Sequence, residues 1–335
     1  MIPTATLGFP RRTRTFQAIV ETFQAGNLHE EALEKAALNV RLDNWRLALT
    51  HGVTYIASND FSWMDPVRDT MVMLGALPPR LALAGRPLTV KAQIALVENS
   101  VQPELLAEQR FAFTHKKVLY EFLEGRDHGI VTRPKVLGPV SFLAAAGGMA
   151  ALPHIGRLLS TYVELLTSLA QKGCQWVQID EPCLDAATDP VLVQVLFQAY
   201  ARLGEDTTGL RLMLVPGAGD LGTNLLAALE LPVEGVHLDL TSGAATLARA
   251  LEFYPARKTL SLGLPEADDK ALDALLRPAW DRTEVRIQLA PSRAPQRFLT
   301  EPEAAALLGR IGRVQARAHR ESPRSGHQQA HESAI

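Results

Sequence analysis

Hydrophobic positions along the chain alternate between two patterns, short runs of strand length and longer stretches with helical spacing. Strand-like runs fall at Thr4 to Phe9, Val53 to Ala57, Pro134 to Leu137, Trp176 to Ile179, Leu210 to Val215, Gly235 to Leu240, Thr259 to Leu264 and Val285 to Leu289. Between them apolar residues recur at i, i+3, i+4 and i+7, as in Ile155, Leu158, Leu159, Tyr162, Leu165, Leu166 and Leu169, a helix expected to end at Gly173. Further helices are expected over Phe16 to Phe23, Glu30 to Leu49, Pro190 to Leu203, Leu221 to Leu229, Ala244 to Phe253, Lys270 to Leu276 and Pro302 to Gln315. Runs such as VQID and LMLV are nearly continuous in apolar character, which suits strands covered on both faces of a parallel sheet. Eight strands alternating with helices predict an α/β fold, a (βα)8 TIM barrel rather than an open doubly wound sheet.

The stretch from 61 to 133 is too long for a simple crossover. It is expected to be an insertion between the second and third barrel strands, with a helix at Asp65 to Leu74, a possible strand at Arg86 to Val90 and a charged helix at Leu105 to Gly125. The barrel is expected to span 1–317. Residues 318–335, rich in His, Arg, Glu, Ser and Gln without apolar period, read as a disordered tail.

Composition narrows the function. The 335 residues carry 34 Lys+Arg against 36 Asp+Glu, so no global basic field favours nucleic acid. Apolar stretches such as Val140 to Leu152 are broken by Gly and Pro short of a membrane span, and no signal-peptide pattern opens the chain; a soluble protein is expected. Two cysteines, Cys174 and Cys183, fit a reducing cytoplasm better than a disulfide scaffold.

In a barrel the chemistry sits at the C-terminal strand ends. Carboxylates stand there at Asp60, at Asp180 with Glu181, and at Asp239, with Arg11, Arg12 and Arg14 following the first strand. Such a ring suits amine binding, acid–base work or a divalent cation. The plainer reading is that Asp180 and Asp239 cap following helices and Glu181 pairs with an Arg. For the group as a whole a site is expected, with Asp180 and Glu181 as catalytic candidates. The histidines are scattered and no CxxC pair exists, so no metal site is expected. Phosphate-loop, GxSxG and GxGxxG motifs are missing.

Several segments, taken together, carry a resemblance: TLGFPR (Thr6 to Arg11), AGN (Ala25 to Asn27), NDFSWMD (Asn59 to Asp65), MLGALPPR (Met73 to Arg80), VLGPVSFL (Val136 to Leu143), GCQWVQIDEPCL (Gly173 to Leu184) and GVHLDL (Gly235 to Leu240). In this order they resemble the N-terminal domain of the cobalamin-independent methionine synthase family. The resemblance implies one of two face-to-face (βα)8 barrels in an enzyme that moves a methyl group from 5-methyltetrahydropteroyl-polyglutamate to homocysteine. It implies that zinc and the catalytic histidine belong to the other barrel, and that this one helps hold the polyglutamate tail. The ligand-binding candidates are Arg11, Arg12 and Arg14 for the tail, together with Asn59, Asp60, Trp63 and Asp239 at the strand ends. No cofactor is expected on this chain, and the expected partner is a separately encoded zinc-bearing barrel or a second copy. Two departures stand out: of the family's basic cluster after TLGFPR only Arg14 keeps a charge, and its Trp-Phe-Asp-Thr-Asn-Tyr motif has no counterpart between Arg80 and Arg133. The alternatives are a distinct small-molecule enzyme using the mouth carboxylates, or a non-catalytic assembly module.

Overall fold

A computed structural model describes residues 2–8, 13–78, 81, 88–207, 209–254, 257–282, 284–292 and 299–321. In chain order its elements are α1 (Arg14–Gln24), α2 (Glu30–Thr50), β1 (Ile56–Ser58), α3 (Pro66–Met73), α4 (Val90–Glu98), α5 (Lys117–Asp127), β2 (Thr132–Leu137), α6 (Pro139–Gly147) and α7 (Ile155–Gln171). There follow β3 (Trp176–Glu181), α8 (Pro190–Asp206), β4 (Arg211–Pro216), α9 (Leu225–Glu230), β5 (Gly235–Asp239), α10 (Ala244–Glu252), β6 (Thr259–Leu264), α11 (Asp269–Trp280), β7 (Arg286–Pro291) and α12 (Glu301–Glu321). The strands form one seven-stranded sheet in sequence order, every pair parallel.

The sheet curls until its two edges meet through residues 4–6. On one side Ala5 N donates to Leu289 O at 2.8 Å and Leu289 N to Pro3 O at 2.9 Å. On the other, Tyr55 N donates to Thr4 O and Thr6 N to Tyr55 O, both at 2.9 Å. The expected first strand, Thr4 to Phe9, is thus reduced to two parallel bridges, Thr4 with Leu289 and Ala5 with Tyr55. Pro3 has no N–H to give, and Gly8 turns at φ +94°, so the ladder has only a few residues to use. Phe9 lies outside the described residues.

Other boundaries shift for local reasons. The second run is strand only over Ile56–Ser58, because Val53 N returns to Ala48 O in the turn that closes α2. No strand forms at Leu88 to Val90, where Thr89 caps α4 by accepting from Ala92 N and Glu30 accepts from Val90 N at 2.9 Å; residues 82–87 lie outside the described ones. The charged helix starts at Lys117 rather than Leu105, since Ala112 and Thr114 donate back to Leu74 and Met73 carbonyls. The final helix runs to Glu321, beyond the expected helix end at Gln315 and past 317, the expected end of the barrel; residues 322–335 lie outside the described ones.

Helices cover the outside as their periodicity predicts. In α7, Leu158, Leu159, Tyr162, Leu165, Leu166 and Leu169 are buried against the sheet, each contributing on the order of 2 kcal/mol. The helix stops at Gly173, φ +86°. The helical run Pro139–Gln171 continues through a 3-10 turn (Gly148–His154), so it is longer than the broken apolar stretch expected. On length and apolarity alone it would pass for a membrane span, yet the leucines of its α7 half pack into the core.

Candidate functional site

The strands carry a second pattern beneath their apolar run: polar residues at alternate positions face the inside of the curl. They include Arg133 and Lys135 on β2, Gln178 and Asp180 on β3, His237 and Asp239 on β5, Ser261 on β6 and Gln288 on β7. Arg133 bonds to Gln178, Gln288 and the Thr6 carbonyl, groups from three other staves, which places it across the interior.

At the C-terminal rim, Asp180 uses both oxygens: Oδ1 accepts from Gln178 Nε2 at 2.8 Å, and Oδ2 lies 3.1 Å from the Lys135 ammonium. Asp180 is therefore an ion-pair partner and not a helix cap. Lys135 keeps 24% of its side chain exposed while Asp180 keeps 9%, so the pair presents its cation to solvent. Gly8 makes room for it: a Cβ there would stand 3.0 Å from Lys135 Nζ and 3.2 Å from Asp60 Cβ. Lys135 was missed from sequence, although a lysine inside an otherwise apolar run was the available signal.

Glu181, 0% exposed, points the other way along the chain. Its carboxylate accepts from Ser141 N at 2.7 Å, Val140 N at 3.3 Å and Tyr200 OH at 3.2 Å, capping the start of α6 instead of pairing with an arginine. Burial pushes its carboxyl up to about 7, against the pull of the Ser141, Val140 and Tyr200 bonds. Gly138 lies against it, so close that any side chain would overlap the carboxyl group.

The β1 end is built differently. Asn59 adopts φ +60°, a left-handed conformation that asparagine tolerates better than most residues. Its N–H donates to Glu121 Oε2 at 2.9 Å, its Nδ2 to Lys135 O at 2.7 Å, and its Oδ1 accepts from Lys117 Nζ at 2.7 Å. Lys117 is also 2.9 Å from Glu121 Oε1. Thus α5, from the long β1–β2 connection, reaches the rim. Asp60 lies beside Gly8 and contributes to the field that holds the Arg41 guanidinium. Trp63 packs in an aromatic cluster, its ring 5.8 Å from Phe16 and 5.3 Å from Phe61, and so ties the start of α1 to the end of β1. Arg14, two residues before Phe16, is exposed at the first position of α1. Arg11 and Arg12 lie outside the described residues. Asp239 accepts from Thr241 N at 3.0 Å and Thr241 Oγ1 at 2.8 Å; it caps the short 3-10 turn Leu240–Ser242, as the plainer reading held.

The donor set does not suit zinc. Among the described residues no three His, Cys, Asp or Glu side chains converge on a metal-sized space. Burial pushes the Cys174 thiol up to about 12 and raises that of Cys183 as well, favouring the protonated form over the ligating thiolate.

Residues 3–95 and 100–266 match a family model described as cobalamin-independent synthase, N-terminal domain. The chain is 35% identical to 5-methyltetrahydropteroyltriglutamate–homocysteine methyltransferase of Caulobacter vibrioides, over 86% of this chain and 44% of that protein. Identity to the protein of the same name from Bradyrhizobium diazoefficiens is 31%, over 87% and 43%. The chain thus spans less than half the length of these relatives. Among solved structures, a putative vitamin-B12 independent methionine synthase from Listeria monocytogenes superposes with a TM-score of 0.70 at 15% identity, covering 96% of this chain and 98% of that one. A B12-independent methionine synthase from Shewanella sp. W3-18-1, in complex with selenomethionine, gives 0.65 at 11% identity with the same coverage. At such identities the likeness concerns the fold. The matched family model and the curated relatives together identify the chain as a member of the cobalamin-independent methionine synthase family, corresponding to its N-terminal domain.

Proposed function

We propose that this chain takes part in methionine formation as the barrel that holds the polyglutamate tail of 5-methyltetrahydropteroyl-polyglutamate. On this reading the seven strands and the 4–6 segment act as a closed (βα)8 barrel, with the β1–β2 connection as an insertion over its mouth. The observation that carries the reading is the cation at the rim: Lys135 offered to solvent by Asp180, with exposed Arg14 at the start of α1. Arg11 and Arg12 sit in the connecting sequence. A glutamate tail is a string of carboxylates, and ammonium and guanidinium groups bind such strings by charge-assisted hydrogen bonds. The names of the curated relatives supply the pteroyltriglutamate and homocysteine chemistry. Because the donor set of the described residues does not suit zinc, thiol activation and methyl transfer are assigned to a zinc-bearing barrel other than this one.

The alternative, in which Glu181 works as a base on a small amino acid or thiol, is less well supported. Its oxygens are already engaged by Val140, Ser141 and Tyr200, and it has no exposed surface. Isothermal titration with the triglutamyl and monoglutamyl forms of methyl-folate tests the proposal. Tighter, salt-sensitive binding of the triglutamyl form is expected, with a gain in turnover when the zinc-bearing barrel is added. Equal affinity for the two forms, together with no complex and no gain in turnover, would end this reading.

A further inference from the structure

Arg133 is 2% exposed, and Asp180, whose charge acts on it, is engaged by Lys135 and Gln178 instead of pairing with it. A guanidinium so placed is costly, and burial lowers its pKa to about 10. It lies over the Tyr55 ring, 5.4 Å from the centroid, and otherwise acts purely as a donor. Nη1 donates to Gln288 Oε1 at 3.1 Å; Nη2 donates to Gln178 Oε1 at 3.1 Å and Thr6 O at 3.3 Å.

Because a guanidinium has no acceptor, both glutamine oxygens must turn toward it and both amide NH2 groups away. Gln178 Nε2 then faces Leu7 O at 3.0 Å and Asp180 Oδ1 at 2.8 Å, beyond which lies Lys135. Gln288 Nε2 faces Ser261 Oγ at 2.9 Å. The Ser261 hydroxyl, having accepted that bond, has its own proton to give, and His237 Nδ1 stands 3.0 Å away.

We propose that Arg133 is a positioning residue that sets the direction of a buried hydrogen-bond relay with two arms. One arm orients Asp180 beneath Lys135 at the rim; the other makes His237 Nδ1 an acceptor and so holds that ring as the Nε2–H tautomer. The rim arm rests on the proposed tail-binding function, whereas the His237 arm stands without it.

The test uses the full chain, with the ring nitrogens of His237 followed by 15N NMR and triglutamyl methyl-folate binding followed by calorimetry. The wild type is expected to show an unprotonated Nδ1. Arg133→Met should lose that single-tautomer pattern and weaken triglutamate binding about tenfold, the loss of one or two oriented bonds. Gln288→Glu pairs the guanidinium and removes the donor to Ser261, so it should move the His237 tautomer even if Arg133→Met does not fold. Gln178→Glu should weaken the ligand while leaving His237 as it is. A protonated Nδ1 in the wild type, or an unchanged tautomer in Arg133→Met and Gln288→Glu, overturns the inference. Should the wild type bind no triglutamate while the tautomer moves as expected, the tail-binding function fails and the interior arm of the relay is upheld.

Discussion

Replacing Gly138 with alanine is expected to be among the more damaging single-methyl additions in this chain, although its backbone conformation would accept any residue. Gly138 sits at φ −70° and ψ 154°, ordinary extended geometry, so backbone strain is not at issue. Space is: the new Cβ would stand 2.6 Å from Glu181 Cγ and closer still to the carboxyl carbon and Oε1. Two relaxations are open. The backbone moves off Glu181 at an overpacking cost of about 1–3 kcal/mol. Alternatively Glu181 swings away and leaves the buried N–H groups of Val140 and Ser141 without their acceptor, about 1–3 kcal/mol each. A loss of about 3 kcal/mol is therefore expected, read as a lower midpoint in urea unfolding at pH 8, followed by circular dichroism. Gly312→Ala supplies the control: it lies inside α12 with nothing within 4 Å of the added methyl, and should stabilise by about 0.5–1 kcal/mol. In a double-mutant cycle, Gly138→Ala with Glu181→Ala should cost less than the sum of the single changes by at least about 1 kcal/mol, since removing the carboxylate removes the clash. Additive costs, or a Gly138→Ala protein within about 1 kcal/mol of wild type, would refute the packing account.

Three more outcomes follow from the same site. The Glu181 carboxyl is raised from 4.5 to about 7, so the native state holds its proton more tightly than the unfolded chain; stability from this group is complete below about pH 4.5 and is lost as pH rises toward 7, on the order of 3 kcal/mol in all. Glu181→Gln should flatten that part of the stability profile, and the difference between the two profiles separates Glu181 from Asp69, whose carboxyl burial pushes up to about 6; parallel profiles would contradict it. Tyr200→Phe removes a bond that lowers the Glu181 carboxyl, so it should cost about 1 kcal/mol and move that titration further upward, measurable by carboxyl 13C NMR. Lys135→Met should abolish any preference for the triglutamyl over the monoglutamyl ligand in calorimetry without lowering the unfolding free energy by more than about 1 kcal/mol, because its ion pair with Asp180 reaches solvent.

The outer layer of the fold is legible in the sequence because each helix repeats its own burial rule within one segment. Leu158, Tyr162, Leu165 and Leu169 announce a face without reference to any other part of the chain. The interior is harder for a physical reason. A strand covered by helices on one side and facing the inside of the curl on the other alternates, so VQID is not the continuous apolar run expected: Val177 and Ile179 pack in the core while Gln178 and Asp180 form one polar file with Arg133 and Lys135. Trp63 stands in its motif as a ligand-binding candidate, yet its ring packs on Phe16 and Phe61; an aromatic residue in a motif does not show which neighbours it will find.

The motif glycines carry the same lesson one step further. Gly8 in TLGFPR and Gly138 in VLGPVSFL look alike as turn formers, yet they answer to different constraints. Gly8 needs both its left-handed φ and the space taken by Lys135. Gly138 needs no special φ and is small only because Glu181, from another strand, fills the place of a side chain. Glu181 in turn lies there because the open N–H groups of Val140 and Ser141 at the start of α6 require an acceptor. The segments VLGPVSFL and QIDEPCL are therefore one fitted unit, and the reach of Asp180 toward Lys135 depends on the turn that unit makes immediately after it. A substitution that disturbs Gly138 should for this reason weaken ligand binding at the rim as well as stability, although it touches no ligand.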